Sequence, residues 1–205
     1  MKRPGRNGFT LLELLLAISL VALITASLMG GVNLGRRSWE TSRASEALDE
    51  IESAARAVSS LVARSFLVHP EQTQRGQSEP APVFLGAATF CRFVMLSEGG
   101  AQWGGLILTE IGSEGGDELA VWTKIYRPQE GLAPTRATMR KTVLLRGLAA
   151  LEIAYFGAPQ QDQSPAWSGG WRNAGALPTL VSVKISARRL GRILEAASTV
   201  AIRQR

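Results

Sequence analysis

"RNGFTLLELLLAISL", residues 6–20, places one carboxylate, Glu13, at the head of a run apolar enough to cross a membrane. From Leu14 to Gly35 no charged residue occurs, and the run is 22 residues long. At about 1.5 Å of rise per residue such a helix matches a hydrocarbon core of roughly 30 Å. Lys2, Arg3 and Arg6 precede it and set the N-terminus on the cytoplasmic side, although Arg36 and Arg37 beyond its far end weaken the contrast. The remainder of the chain is then exported. A carboxylate in lipid costs on the order of 2.5–3.5 kcal/mol on insertion scales unless a partner offsets it. Glu13 therefore calls for a cation, and the apolar run contains none.

Three simpler readings compete. A cleaved secretory signal has an apolar stretch of about 7–15 residues followed by a small-residue cleavage site; Ala26, Ser27 and Gly30 can be pressed into that role, but the run is too long and a charge stands at its head. A plain uncleaved anchor fits the length and leaves Glu13 without a purpose. In the third, Glu13 sits at the interface and is merely solvated. The composition, 45% hydrophobic and 20% charged over 205 residues, is that of one globular domain with an appended segment. Three of the positive charges fall in the first eight residues, which halves the formal balance of +6. What remains is too scattered to define a nucleic-acid surface, and no nucleic-acid partner is expected.

Gly8, Phe9, Thr10, Leu11, Leu12 and Glu13, following a short basic leader, resemble the class III signal of type IV pilins and type II secretion pseudopilins. The resemblance implies that a membrane prepilin peptidase cuts after Gly8 and methylates the new amino terminus at Phe9. It also implies that Glu13, fifth in the mature chain, neutralises the terminal amine of a neighbouring subunit. A buried charge is tolerated when paired and costly when left alone. Leu14, Ile18, Val21, Ile24 and Leu28 become the helix-to-helix contacts of assembly.

Past the membrane run, Ala44, Leu48, Ile51, Ala55, Val58 and Val62 recur at helical spacing, while Glu46, Asp49, Glu50, Glu52, Arg56 and Arg64 fall elsewhere. The pattern predicts an amphipathic continuation that ends before Pro70, with Gly30, Gly31 and Gly35 favouring a bend or local melting between the halves. After "HPEQTQRGQSEPAP", residues 69–82, the pattern turns to strands: "FCRFVML", "GLILTE", "ELAVWTKIY", "TVLLRGLAALEIAYF", "TLVSVKISARR" and "ILEAASTVAIR". Val181, Val183, Ile185 and Ala187 alternate with Ser182, Lys184, Ser186 and Arg188, giving one buried and one wet face. Strands in succession without intervening helices predict antiparallel pairing, with one sheet face against the helix. The expected fold is α+β and pilin-like. Its parts are a cleaved leader at 1–8, a transmembrane and assembly half at 9–35, an amphipathic half at 36–68 and a periplasmic β-rich head at 69–205.

Little in the head points to chemistry. His69 and Cys91 are the sole histidine and cysteine, too few for a zinc site or a disulfide and without a third partner for nucleophilic work. Three aspartates, Asp49, Asp117 and Asp162, propose no catalytic carboxylate pair. "GSEGGDE", residues 112–118, brings Glu114, Asp117 and Glu118 together without EF-hand spacing and reads as a hairpin. "SEGGAQWGG" lacks the ending of a phosphate-cradling loop and reads as a turn. "PAWSGGWRNAGALP" carries Trp167 and Trp171, which either grip a partner or pin a long loop to its own domain. No enzyme, cofactor or metal is expected.

The loose run "LLRGLAALEIAYFG", then "PAWSGGWRNAGALP" and "LPTLVSVKIS", is similar to the J-type minor pseudopilins of type II secretion. That resemblance implies a subunit of the pseudopilus tip, partnered by I-type and K-type minor pseudopilins, the major pseudopilin and the inner-membrane assembly platform. It implies an inner-membrane location with the head in the periplasm. Glu13 speaks against the K-type, and the long head without a C-terminal acidic calcium loop against the major pseudopilin. The competing expectations are a minor pilin of a type IV pilus, for which Arg188, Arg189, Arg192, Arg203 and Arg205 offer a DNA-binding region, and an anchored periplasmic enzyme.

Overall fold

A computed structural model describes residues 10–67, 84–97, 105–127, 132–158, 164–173 and 176–202. Gly8, Phe9, His69, Pro70, Arg203 and Arg205 lie outside them. The chain divides into two compact units, Met1–Glu46 and Ala47–Arg205, and one helix, α1 (Leu11–Ala63), contributes to both.

The helical assignment is unbroken through Gly30, Gly31 and Gly35, so the expected melting between halves does not occur. Glycine weakens a helix by roughly 1 kcal/mol relative to alanine, and the good helix formers on both sides, the leucine-rich run before the glycines and the Arg-, Glu- and Ala-containing segment after them, outweigh that. The buried face in the second unit is Ala47, Ile51, Ala54, Ala55, Val58 and Val62. Ala44 and Leu48, placed on this stripe from their spacing, are exposed: Ala44 precedes the compact unit, and Leu48 is one residue, about 100° of helix, off the line through Ala47 and Ile51. The helix stops at Ala63, short of Pro70, because the backbone tightens there. The Arg64 and Ser65 amides donate to the carbonyls of Leu61 and Val62 at 3.1 and 3.0 Å, the Ser65 hydroxyl also donates to Val62 at 2.6 Å, and Ser65 then bridges to Met95.

Among the described residues ten strands follow: β1 (Phe84–Ala87), β2 (Phe90–Leu96), β3 (Leu106–Glu114), β4 (Glu118–Ile125), β5 (Arg140–Arg146), β6 (Leu148–Gly157), β7 (Ala166–Ser168), β8 (Trp171–Asn173), β9 (Leu180–Arg189) and β10 (Arg192–Ala201). They form two antiparallel sheets rather than one, in the orders β5-β4-β3-β2-β1-β8 and β10-β9-β6-β7. The long run read as a single strand, residues 142–156, divides at Gly147, whose φ of 68° is a backbone state that glycine adopts without a Cβ clash. That one residue hands the chain from the first sheet to the second.

The main core joins the helix face to both sheets, with Phe84, Phe93, Ile111, Val121, Ile153, Tyr155, Trp171, Val183 and Ile185 fully or nearly fully buried. Tyr155 ties the sheets together: its hydroxyl donates to the carbonyls of Ala87 and Phe90 at 2.9 and 3.1 Å, and its ring lies over Gly86, where an added Cβ would come within 2.4 Å. A second cluster, Val94, Leu108, Ala120, Trp122 and Met139, occupies the opposite face of the six-stranded sheet, as strand alternation requires. In it Glu110, 3% exposed, meets two guanidiniums. Arg92 donates to it through Nε at 2.7 Å and again through Nη2; Arg136 donates through Nε at 2.6 Å and stacks 3.9 Å from the Trp122 ring centroid.

Candidate anchor and assembly site

The helix begins at Thr10. The amide of Thr10 and its hydroxyl each donate to a Glu13 carboxylate oxygen at 3.4 Å, and the Glu13 amide donates back to the Thr10 hydroxyl at 3.4 Å. These bonds are long, and their pattern is a reciprocal capping box, Thr-x-x-Glu, which satisfies amides that a helix N-terminus otherwise leaves open. The signal was present in "TLLE" and is independent of any role in assembly. The Glu13 carboxylate is thus turned back toward Thr10 within its own helix, and it brings negative charge to the positive end of the helix dipole.

From Thr10 to Glu46 every side chain whose burial is described is exposed. Leu14, Ile18, Val21, Ile24 and Leu28 are 53–65% exposed, and apolar residues occupy every side of the helix from Leu14 to Leu34. A helix apolar all round and uncovered is suited to lipid or to other helices, not to water. Its polar groups are handled internally: the hydroxyls of Ser19, Thr25 and Ser27 donate to the carbonyls of Leu16, Val21 and Leu23 at 2.8, 2.8 and 2.9 Å. Beyond Gly35, Arg36, Arg37, Trp39 and Arg43 form a basic and aromatic border, with the Arg43 guanidinium 5.8 Å from the Trp39 ring centroid. Trp39 is 69% exposed; a tryptophan beside charges at the end of an apolar run is of the type enriched at membrane–water boundaries, and the sequence reading passed over it.

The two loop tryptophans part company. Trp171 is 2% exposed, donates from Nε1 to the Ala176 carbonyl at 3.1 Å and lies so close to Gly157 that an added Cβ would stand 2.8 Å away. Trp167 is half exposed and rests on Phe156, with centroids 5.4 Å apart. Between them the chain crosses from β7 on the second sheet to β8 on the first. Glu114, Asp117 and Glu118 surround the β3–β4 turn, and Glu114 and Glu118 both pair with Lys141. Cys91 is fully buried, and burial, with the nearby Glu110 charge, pushes its thiol well up, which disfavours the reactive thiolate. Among the described residues no group of three histidines, cysteines or acids gathers as a metal site.

Residues 3–29 match the family described as the prokaryotic N-terminal methylation motif. No curated protein and no solved structure matches the chain. The match supports a type IV pilin-like or pseudopilin protein, carrying a signal of the kind processed by prepilin peptidases and used in pilus-like assembly. Proteins of that class are in general structural rather than enzymatic. The helix is long and apolar enough to cross a membrane, the signal at its head supports its reading as a membrane anchor, and the long helix with antiparallel sheets is consistent with the pilin-like α+β fold.

Proposed function

We propose that this chain is a minor pseudopilin of a type II secretion system, most like the J-type, a structural subunit of the tip complex that primes the pseudopilus. The leader, residues 1–8, is removed after Gly8, Phe9 is methylated, and the segment 9–35 crosses the inner membrane with the N-terminus cytoplasmic and the head periplasmic. Glu13 then receives the free amine of the next subunit, and Leu14, Ile18, Val21, Ile24 and Leu28 exchange lipid for neighbouring helices. I-type and K-type pseudopilins, the major pseudopilin and the assembly platform are its partners. Trp167 offers a partner contact, while Trp171 holds the loop that presents it.

The observation that carries this reading is the carboxylate of Glu13, prearranged at the head of an uncovered apolar helix within the stretch that matches the methylation motif. Removing one partner of a desolvated pair costs several kcal/mol, so the charge makes sense where a cation is delivered to it. The test is affinity capture of the tagged full chain from solubilised envelopes, with mass spectrometry of the chain and its companions. A mature mass beginning at Phe9 with one added methyl, together with minor pseudopilins, is the expected result. Pilus subunits in their place assign the chain to a type IV pilus; a cut after Ala26 or Ser27 overturns both readings. Gly8→Val is expected to leave the leader attached and abolish incorporation, read as an unprocessed mass.

A further inference from the structure

The β9–β10 hairpin ends in a two-residue turn, Leu190-Gly191, with φ values of 51° and 74°. Both central residues of such a turn are left-handed, a place where asparagine, aspartate or glycine is comfortable and leucine is not. Leu190 is nevertheless there and is 63% exposed; Ile193 is 59% exposed beside it. Ile193 pairs in register with Arg188, which puts them on one face, while Arg192 pairs with Arg189 on the other face beside the turn; Arg188 and Arg192 are both exposed. A turn that accepts backbone strain and displays apolar side chains among arginines is poorly explained by the stability of the head.

The tip is also fixed in place. Arg189 points to the opposite face and donates from Nε to Glu50 at 2.8 Å. Glu50 lies one turn inside the head unit, which begins at Ala47, so this contact holds the hairpin tip at the end of the head through which the chain arrives from the apolar run. Residues 36 to 46 join that run to the head, and even fully extended a linker of that length reaches no more than about 40 Å. A weak surface affinity is then sufficient, because the tether keeps the local lipid concentration high.

We infer that the Arg188–Ile193 hairpin tip is a bilayer-surface contact: Leu190 and Ile193 enter the headgroup boundary and Arg188 and Arg192 pair with anionic phospholipid headgroups. This rests on the membrane-anchored reading of residues 9–35. Apolar burial supplies part of the affinity and the arginines supply its charge selectivity. Before assembly the head is thereby held down on the membrane; joining a filament releases the tip.

The test uses the full chain reconstituted in vesicles, with a nitroxide on Leu190→Cys and, in a second preparation, on Ile193→Cys. Cys91 is fully buried, and the unsubstituted chain serves as the labelling blank. In phosphatidylcholine vesicles containing phosphatidylglycerol, collisions with oxygen are expected to exceed those with a water-soluble nickel complex at both sites. In pure phosphatidylcholine that preference is expected to vanish. Arg188→Gln and Arg192→Gln are each expected to weaken the contact roughly fivefold. Labels equally open to the nickel complex in both lipids overturn the inference. So do labels shielded from both reagents in proportion to protein density, which assign the tip to a neighbouring subunit. A label on Ile24→Cys separates the two readings: immersed there with residue 190 in water, only the surface contact fails; in water at residue 24, the anchor fails and the contact with it.

Discussion

Thr10 and Glu13 cap the helix whether or not a neighbour is present, so two substitutions at one position separate two jobs. Glutamine keeps the capping box and removes the charge; valine removes both. If the charge governs docking, Glu13→Gln and Glu13→Val are both cleaved after Gly8 and both fail to enter filaments, read by shearing and immunoblot. If the cap governs it, only Glu13→Val and Thr10→Val fail, and the loss of helix stability is about 1 kcal/mol. The buried cluster at Glu110 gives a sharper energetic outcome. Glu110→Ala leaves Arg92 and Arg136 facing each other without their shared carboxylate and is expected to cost about 3–5 kcal/mol. Arg136→Ala leaves the Arg92 pair standing and removes one contact to Trp122, costing about 1–2 kcal/mol. Urea midpoints of the detergent-solubilised chain, followed by tryptophan fluorescence, rank the two.

At the scale of elements, the strands that stand out in the sequence are present in the structure. Residues 90–96 form β2 as read, and Val181, Val183, Ile185 and Ala187 are all buried on β9. What escaped the reading depended on contacts between distant residues. β1, β7 and β8 are four, three and three residues long, too short for any periodicity, and exist because neighbours pair with them. Arg92 and Glu110 are directly opposed across β2 and β3, and Glu110 faces Trp122 across β4; in sequence they are merely charges in apolar strands. The site was legible further: Glu13 and the apolar run stand in one contiguous stretch, whereas Trp171 became a core residue only when Gly157 was brought beneath it. The joint between the sheets carries its own prediction. Gly86→Ala pushes a methyl into the Tyr155 ring and is expected to cost at least about 2 kcal/mol. Tyr155→Phe, which strips the donor from two carbonyls, costs about 1–3 kcal/mol. Thermal melts followed by near-ultraviolet circular dichroism test both.

Outside the buried Glu110 cluster the ion pairs of the head lie near its surface, and their pH dependence has a definite sign. Hydrogen bonding to Arg189, Lys141 and Lys184 holds the carboxyls of Glu50, Glu118 and Glu195 below their ordinary value of 4.5. Each group with a lowered folded-state pKa stabilises the fold above the ordinary carboxylate range and loses that contribution as the pH falls through its folded value. Melting temperature is therefore expected to be flat from neutral pH down to about 5 and to drop below 4.5. The raised lysines Lys141 and Lys184 act in the opposite direction, losing their contribution only at strongly alkaline pH. Arg189→Gln is expected to remove the Glu50 share of the acid-side slope, because it removes the bond that lowers that carboxyl.

The back-bonded hydroxyls of Ser19, Thr25 and Ser27 have a consequence for the whole molecule. On the proposed reading the apolar helix leaves the bilayer for a filament, and no hydroxyl has to surrender a lipid or water partner on the way. Acyl chains and neighbouring leucines are nearly equivalent solvents for such a surface, so the move is close to neutral in free energy along the length of the helix. A nearly neutral exchange is a reversible one, and its direction can be set by a single ion pair at Glu13: the same rod can be drawn into a fibre, returned to the membrane and used again.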